Sequence, residues 1–406
     1  MKYIDGGVTS AKGFKAAGIC AGIKKDRKDM AMLFSEKVCT AAGTFTTNLV
    51  KASPVVWDRS TVQKYGTAQA CVMNSGVANA CTGAQGDACC RETADEAARV
   101  LGLESEQILL ASTGVIGRQL PMEKMKAGIR QMRELLSDSR QAASAAAEAI
   151  MTTDTKRKEA AVTFELSGKK VTLGGMSKGS GMIHPQMGTM LCFLTTDAAI
   201  SHEMAQKALL GCVDDSFNMI SVDGDESTND TCLLLANGLA GNPQITEENE
   251  DYETFRLALA EVTSNLARRM AADGEGANAL FEVKVRGADT KQTAVTIAKS
   301  VISSSLVKTA IAGHDANWGR IICAMGYSGA FFDPQKVDLS FSSRAGTVKI
   351  AENGVDTGYS EDLATKILSE DEITALIDLK MGNAGATAWG CDLTHEYITI
   401  NADYRS

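Results

Sequence analysis

The chain has 406 residues, 44% of them hydrophobic, few aromatics (5%) and a formal net charge of −9. That length supports a packed core and two to three domains, and the acidic balance argues against nucleic acid or an anionic membrane surface as a partner. The opening "MKYIDGGVTSAKGFKAAG" lacks an apolar core of signal-peptide length, and no apolar run approaches the roughly 20 residues of a membrane span, so the expected setting is the cytoplasm.

Residues 1–80 alternate short apolar runs with Gly, Thr and Asn, which predicts strands joined by tight turns. "DACCRETADEAARVLG" (87–102) has helical spacing, with Asp87 as cap and Gly102 as stop. Helices are also predicted over 121–134 and over the alanine-rich 140–151. "EAAVTFEL" and "KKVTLGGM" read as a hairpin pair. Further on, 201–217 reads as a helix capped by Ser201, "TCLLLANG" as a buried strand, and 251–274 as a long amphipathic helix ending in glycine. "ALFEVKVRGA" opens a new pattern: a strand, a helix over about 289–304, then several strands from 320 onward. Strands and helices mix without strict βαβ repetition, so the fold class is α+β, with a domain boundary near 280. The eleven cysteines include no CxxC pair. They read as small buried hydrophobes in a reducing compartment, not as a metal or disulfide framework.

Six clusters of Gly, Asn, Asp and Thr stand out: "NSGVANACTGAQG" (74–86), "ASTGVIG" (111–117), "TTDT" (152–155), "SVDGDESTNDT" (221–231), "ADGEGANA" (272–279) and "GHDANWGR" (313–320). Any one alone is a turn; together they suggest polar residues presented on loops by a rigid scaffold. The chain has no GxxxxGK[ST] loop, and its four histidines point to no triad. A remaining nucleophile is a threonine whose own α-amine serves as base, which needs an internal Thr exposed by cleavage. In "KGSGMIHPQMGTMLCFLTTD" (178–197) a loop-like run reaches Gly188-Thr189 and passes at once into an apolar stretch. Small residues before Thr189 leave the preceding carbonyl open to its hydroxyl, and a freed α-amine titrates near 7.7–8.0, suited to a base at neutral pH. The competing reading of these residues is a β-branched threonine that simply opens a strand.

From "GGVTSAKGFKAAGICAGIK" to "INADYRS", the chain resembles the ornithine acetyltransferases (glutamate N-acetyltransferases) of the cyclic arginine pathway. "NSGVANACTGAQG", "STGVIG", "TTDT", "SKGSGMIHPQMGTML", "DGDESTNDT", "DGEGA" and "NWGR" fall in the family's order. The resemblance implies an αββα sandwich of the kind shared with self-processing aminopeptidases, plus a smaller C-terminal α/β domain. It implies cleavage at Gly188-Thr189 into an α chain of 1–188 and a β chain of 189–406, assembled as an α2β2 heterotetramer. Within the β chain, 189–280 completes the sandwich and 281–406 forms the C-terminal domain. It implies acetyl transfer from N2-acetyl-L-ornithine to L-glutamate through an acetyl-threonine, with no metal or bound organic cofactor, and leaves acetyl-CoA open as a co-substrate. By resemblance, Thr189 is the nucleophile and Thr113 and Gly114 form the oxyanion hole. Thr152, Lys178, Thr189, Glu275, Asn401 and Ser406 bind substrate.

The chain departs from the family pattern at several places. Gly188 stands where Ala is usual, which loosens the scissile segment and predicts slower self-cleavage. Val77 replaces a polar Asn, Asn278-Ala279 replaces Thr-Lys, Ala316 replaces Pro, and "TTDTKRK" lacks a common aromatic or Pro. Two other functions remain consistent with the residues: an amidase or aminopeptidase that gives the acyl group to water, and an uncut assembly protein without catalysis.

Overall fold

The structure is a computed structural model that describes residues 1–184 and 190–403. The chain divides into two compact units. The first comprises 1–179, 185–214 and 225–266; the second comprises 180–184, 215–224 and 267–406.

The first unit carries strands β1 (Lys2–Ile4), β2 (Phe14–Ile19), β3 (Met30–Phe45), β4 (Thr67–Val77), β5 (Ile108–Val115), β6 (Lys158–Leu166), β7 (Lys169–Lys178), β8 (Leu191–Thr196) and β9 (Thr231–Ala236). Its helices are α1 (Ser53–Tyr65), α2 (Gly83–Leu101), α3 (Met122–Leu135), α4 (Arg140–Ala149), α5 (His202–Asp214) and α6 (Glu250–Ala272), the last running on into the second unit. The strand order is β1-β6-β7-β8-β9-β3-β4-β5, with β2 also on β3. Strand β3 is 16 residues long. Its first half pairs with β2 and β4, its register against β4 shifts between Phe34 and Cys39, and its second half pairs with β9. The shift lets one strand serve two sheet halves.

Alternation along β4 shows how those halves stack. Cys71 and Met73 join a core with Phe193 of β8 and Leu233 and Leu235 of β9, whereas Ala70 and Val72 join a second core with α2 and α3. Successive side chains of a strand point to opposite faces, so one face of β2–β5 meets the other half of the sheet and the other face meets helices. On the far side Phe164 of β6 meets Phe255 of α6, ring centroids 6.4 Å apart. The layers run helix, sheet, sheet, helix, the sandwich that the family resemblance implied. Small side chains make this packing close: a Cβ on Gly18 of β2 would lie 2.1 Å from the carbonyl oxygen of Ala145 in α4.

Several expectations meet corrections. Helix α1 lies where only strands were expected; its sequence "SPVVWDRSTVQKY" is poor in strong helix formers, and it is started by a proline in the first turn and stopped by Gly66 at φ 63°. Helix α2 begins at Gly83, so Asp87 lies inside the helix instead of capping it, while Gly102 at φ 72° ends it as expected. The hairpin of β6 and β7 and the buried strand β9 form as predicted, and Ser201 Oγ accepts from Met204 N at the start of α5.

The second unit is built on β10 (Leu280–Ala288), β11 (Asp338–Ser343), β12 (Gly346–Glu352), β13 (Val355–Asp356), β14 (Glu372–Asp378) and β15 (Ala384–Cys391), ordered β13-β12-β11-β14-β10-β15. Only β10 and β14 pair in parallel among these described strands. Helices α7 (Lys291–Ser303), α8 (Ser305–Ala312), α9 (Trp318–Gly326), α10 (Glu361–Leu368) and α11 (His395–Ala402) complete it. Around residue 320 the chain forms α9, not the strands expected there; strands resume at Asp338. Of the eleven cysteines, eight are buried and none is bridged. Among the described residues no single helix is long and apolar enough to cross a membrane.

Candidate active site

In the first unit the expected residues gather at the ends of strands. Gly114 of β5 lies opposite Gly76 of β4 in a parallel pair whose register slips just beyond it. The two backbones press together: a Cβ on Gly114 would sit 2.3 Å from the carbonyl carbon of Gly76, and Gly114 holds φ 128°. Only glycine combines that conformation with that approach. A network fixes the strand end. Asn229 Nδ2 donates to the carbonyl oxygens of Ala78 (2.7 Å) and Ser112 (2.8 Å), and Ser112 Oγ donates to Asn74 Oδ1 at 2.6 Å.

Lys178 ends β7 and is 6% exposed. Its Nζ approaches Thr113 Oγ1 at 3.4 Å, so the structure brings Lys178 to the strand that carries Thr113 and Gly114. Behind it lies a buried charge cluster. Asp154 Oδ1 accepts from Lys158 Nζ (2.6 Å) and from the amide of Gly179 (2.7 Å), and Asp154 Oδ2 accepts from the amide of Thr152 (3.1 Å). Burial opposes a charge on Asp154, but the ammoniums of Lys178 and Lys158 outweigh it and hold the carboxyl at about 2. Thr152 is thereby placed by the same carboxylate that faces Lys178.

The described chain resumes at Met190, whose carbonyl accepts from the amide of Thr231 (3.0 Å), and enters β8 at Leu191. Leu191 pairs with Lys178 on one side and with Thr231 on the other. Gly188 and Thr189, two positions and one position before Met190, lie outside the described residues, as does Ser406. Asp230, next to Thr231, is fully buried, and among the described residues neither carboxyl oxygen has a well-formed hydrogen bond. Burial pushes it well above the usual carboxylate range, against the pull of the Met190 amide and Lys178.

In the second unit Glu275, 6% exposed, follows α6 on a turn. Its amide donates to the carbonyl of Ser180 (3.0 Å), and its Oε2 accepts from Asn401 Nδ2 of α11 at 2.7 Å. Gly181 leaves room for this carboxylate: a Cβ there would meet it at 2.3 Å. Glu275 and Asn401, singled out separately in the sequence, therefore meet.

The sequence model of the ArgJ family matches residues 15–406. This chain belongs to the ArgJ family. It is 51% identical over 396 residues to the arginine biosynthesis bifunctional protein ArgJ of Thermotoga neapolitana, covering 97% of this chain and 99% of that one. It is 49% identical over 406 residues to the ArgJ protein of Caldanaerobacter subterraneus, over 100% of each. A crystal structure of the ArgJ protein of Bacillus halodurans is 44% identical and covers 51% of this chain and 96% of the solved chain, with a TM-score of 0.49. The family expected from the motifs is confirmed, and with it the class of activity, an acetyltransferase of arginine biosynthesis.

Several residues of this ArgJ chain escaped the sequence reading. Asn74, Asp154, Asn229 and Asp230 lie in clusters that had been singled out, but nothing there separates a buried polar residue from a turn residue. Only the fold shows that each is less than 5% or about 7% exposed and aimed at its neighbours' backbone or charges.

Proposed function

We propose that this ArgJ chain cleaves itself at Gly188-Thr189 and then transfers acetyl from N2-acetyl-L-ornithine to L-glutamate. One observation carries the reading. The backbone of Lys178 pairs with Leu191, two positions past Thr189, while its ammonium reaches Thr113. The reading is supported because Lys178 and Leu191, which flank the expected cut, pair on neighbouring strands, and the Lys178 ammonium lies beside Thr113, the expected oxyanion-hole residue.

In self-cleavage the Thr189 hydroxyl attacks the Gly188 carbonyl carbon, the C–N bond breaks, and the acyl group moves to oxygen. Water then opens the ester, leaving a Gly188 carboxylate and a Thr189 α-amine. The two fragments stay together because the cut separates β7 from β8, and these strands remain hydrogen-bonded over Leu173–Lys178 and Leu191–Thr196.

In turnover the Thr189 amine takes the hydroxyl proton as the oxygen attacks the acetyl carbonyl. Thr113 and the Gly114 amide face the oxyanion that develops there, a contribution of about 3–4 kcal/mol per donor. Collapse expels ornithine, whose nitrogen takes the proton, and leaves an acetyl ester on Thr189. The glutamate amine attacks that ester, giving N-acetylglutamate and the free hydroxyl. Lys178 suits the carboxylate shared by both amino acids, and Glu275 suits an ammonium.

Incubation with acetyl-labelled acetylornithine and unlabelled glutamate tests this. Labelled N-acetylglutamate is expected, together with a labelled peptide beginning at Thr189 when glutamate is withheld and the reaction is quenched in acid. Labelled free acetate in place of acetylglutamate would instead mark a hydrolase.

A further inference from the structure

The loop between β2 and β3, residues 20–29, plays no part in the proposal above, yet it is firmly built. Asp29 is fully buried, and its carboxylate accepts from the amides of Ala21 (2.6 Å), Ile23 (2.6 Å) and Lys24 (2.9 Å). Three backbone donors on one carboxylate fix the loop's path and the starting point of the Lys24 side chain.

That side chain runs toward the site. Its Cγ lies 3.0 Å from where a Cβ on Gly76 would stand, and Gly76 is the residue paired with Gly114. Its Nζ donates to the carbonyl of Met151 at 2.8 Å, one residue before Thr152. Among the described residues this is the only hydrogen bond its ammonium makes, leaving two of three donors for a ligand. The charged groups that face it are Arg27, Asp29, Lys178 and Asp154. Burial lowers the Lys24 ammonium to about 8, helped by Arg27 and Lys178 and opposed by Asp29 and Asp154.

Two ammoniums on one side of a half-buried site repel each other unless an anion joins them. Asp154 does not fill that role for Lys24 alone, since its oxygens are already engaged by Lys158, Gly179 and Thr152. Resting on the functional reading above, we propose that Lys24 is a second cation which, with Lys178, grips the α-carboxylate of the amino-acid substrate, and that the Asp29 clamp holds it in place. Because acetylornithine and glutamate share that carboxylate, Lys24 acts in both half-reactions. A bound carboxylate favours the protonated amine, so binding near pH 8 takes up protons, and affinity falls as pH rises past 8.

The test uses the self-processed enzyme with Lys24→Met and Lys24→Arg. Lys24→Met is expected to raise KM for acetylornithine and for glutamate by about 10- to 100-fold, the usual worth of a charge-assisted hydrogen bond, with much smaller changes in kcat. Lys24→Arg keeps the charge and is expected to hold KM within a few-fold while removing its rise above pH 8, because arginine does not titrate there. Calorimetry of L-ornithine binding reads the same loss and the proton uptake without turnover. Unchanged KM values in Lys24→Met, or a rise for glutamate alone, would overturn the assignment. A wild type that binds ornithine in this Lys24-dependent way but transfers no acetyl would overturn the functional reading and leave this one standing.

Discussion

The two units of this ArgJ chain make their candidate ligand contacts in different ways. In the first, geometry is set by backbone: Gly114 is pressed against Gly76, Asn229 holds the carbonyl beside Thr113, and Lys178 backs onto a buried ion pair. In the second, geometry is set by the ends of side chains: Glu275 on a turn meets Asn401 on an exposed terminal helix. A site that must stabilise a developing charge gains from fixed dipoles, whereas one that must hold unlike substrates gains from contacts that can shift.

A pair of glycine substitutions sharpens the contrast. Gly114→Ala places a methyl group 2.3 Å from the backbone of Gly76 at a φ of 128°, so β5 must move away from β4. Its kcat is expected to fall by about a thousandfold, the scale of a lost oxyanion donor, measured on protein that has already processed. Gly181→Ala meets only the tip of Glu275, which can rotate aside. A KM increase of about tenfold with kcat nearly unchanged is expected. Equal effects on kcat from the two variants would erase the distinction.

A smaller effect separates two buried carboxyls within the first unit. Asp154 has a folded value of about 2, below its unfolded value, so its contribution to stability is present above about pH 4 and is lost as pH falls toward 2. Asp58 is fully buried and among the described residues accepts one hydrogen bond, from the amide of Leu110 (2.7 Å). Burial pushes it well above the usual range, so its contribution is present below about pH 4 and declines as pH rises through its folded value. Denaturation in urea across pH is expected to show Asp154→Asn flattening the acid side of the stability curve. Asp58→Asn is expected to raise stability near pH 7; a loss there would contradict the sign.

How much of this was legible in the sequence depended on where each signal sits. Helix α3 and the β6–β7 hairpin announce themselves by period and turn residues, and the family by the joint order of its motifs. Helix α1 did not, because β-branched and small polar residues carry little helical preference and its stability comes from packing. Thr113 and Gly114 followed from a motif, but the reason that position 114 must be glycine is a contact with a residue 38 positions earlier. Lys24 looked like one of several lysines in "GIKKDRKD"; only the buried Asp29 and the neighbouring Met151 single it out.

The central claim is that catalysis depends on a threonine freed within the chain. Intact-mass and N-terminal analysis of the purified enzyme, while it is active in acetyl transfer, tests this most directly. The expected result is two fragments, residues 1–188 and 189–406, the second beginning Thr-Met-Leu-Cys-Phe. A single uncut chain of 406 residues with full transferase activity would contradict it.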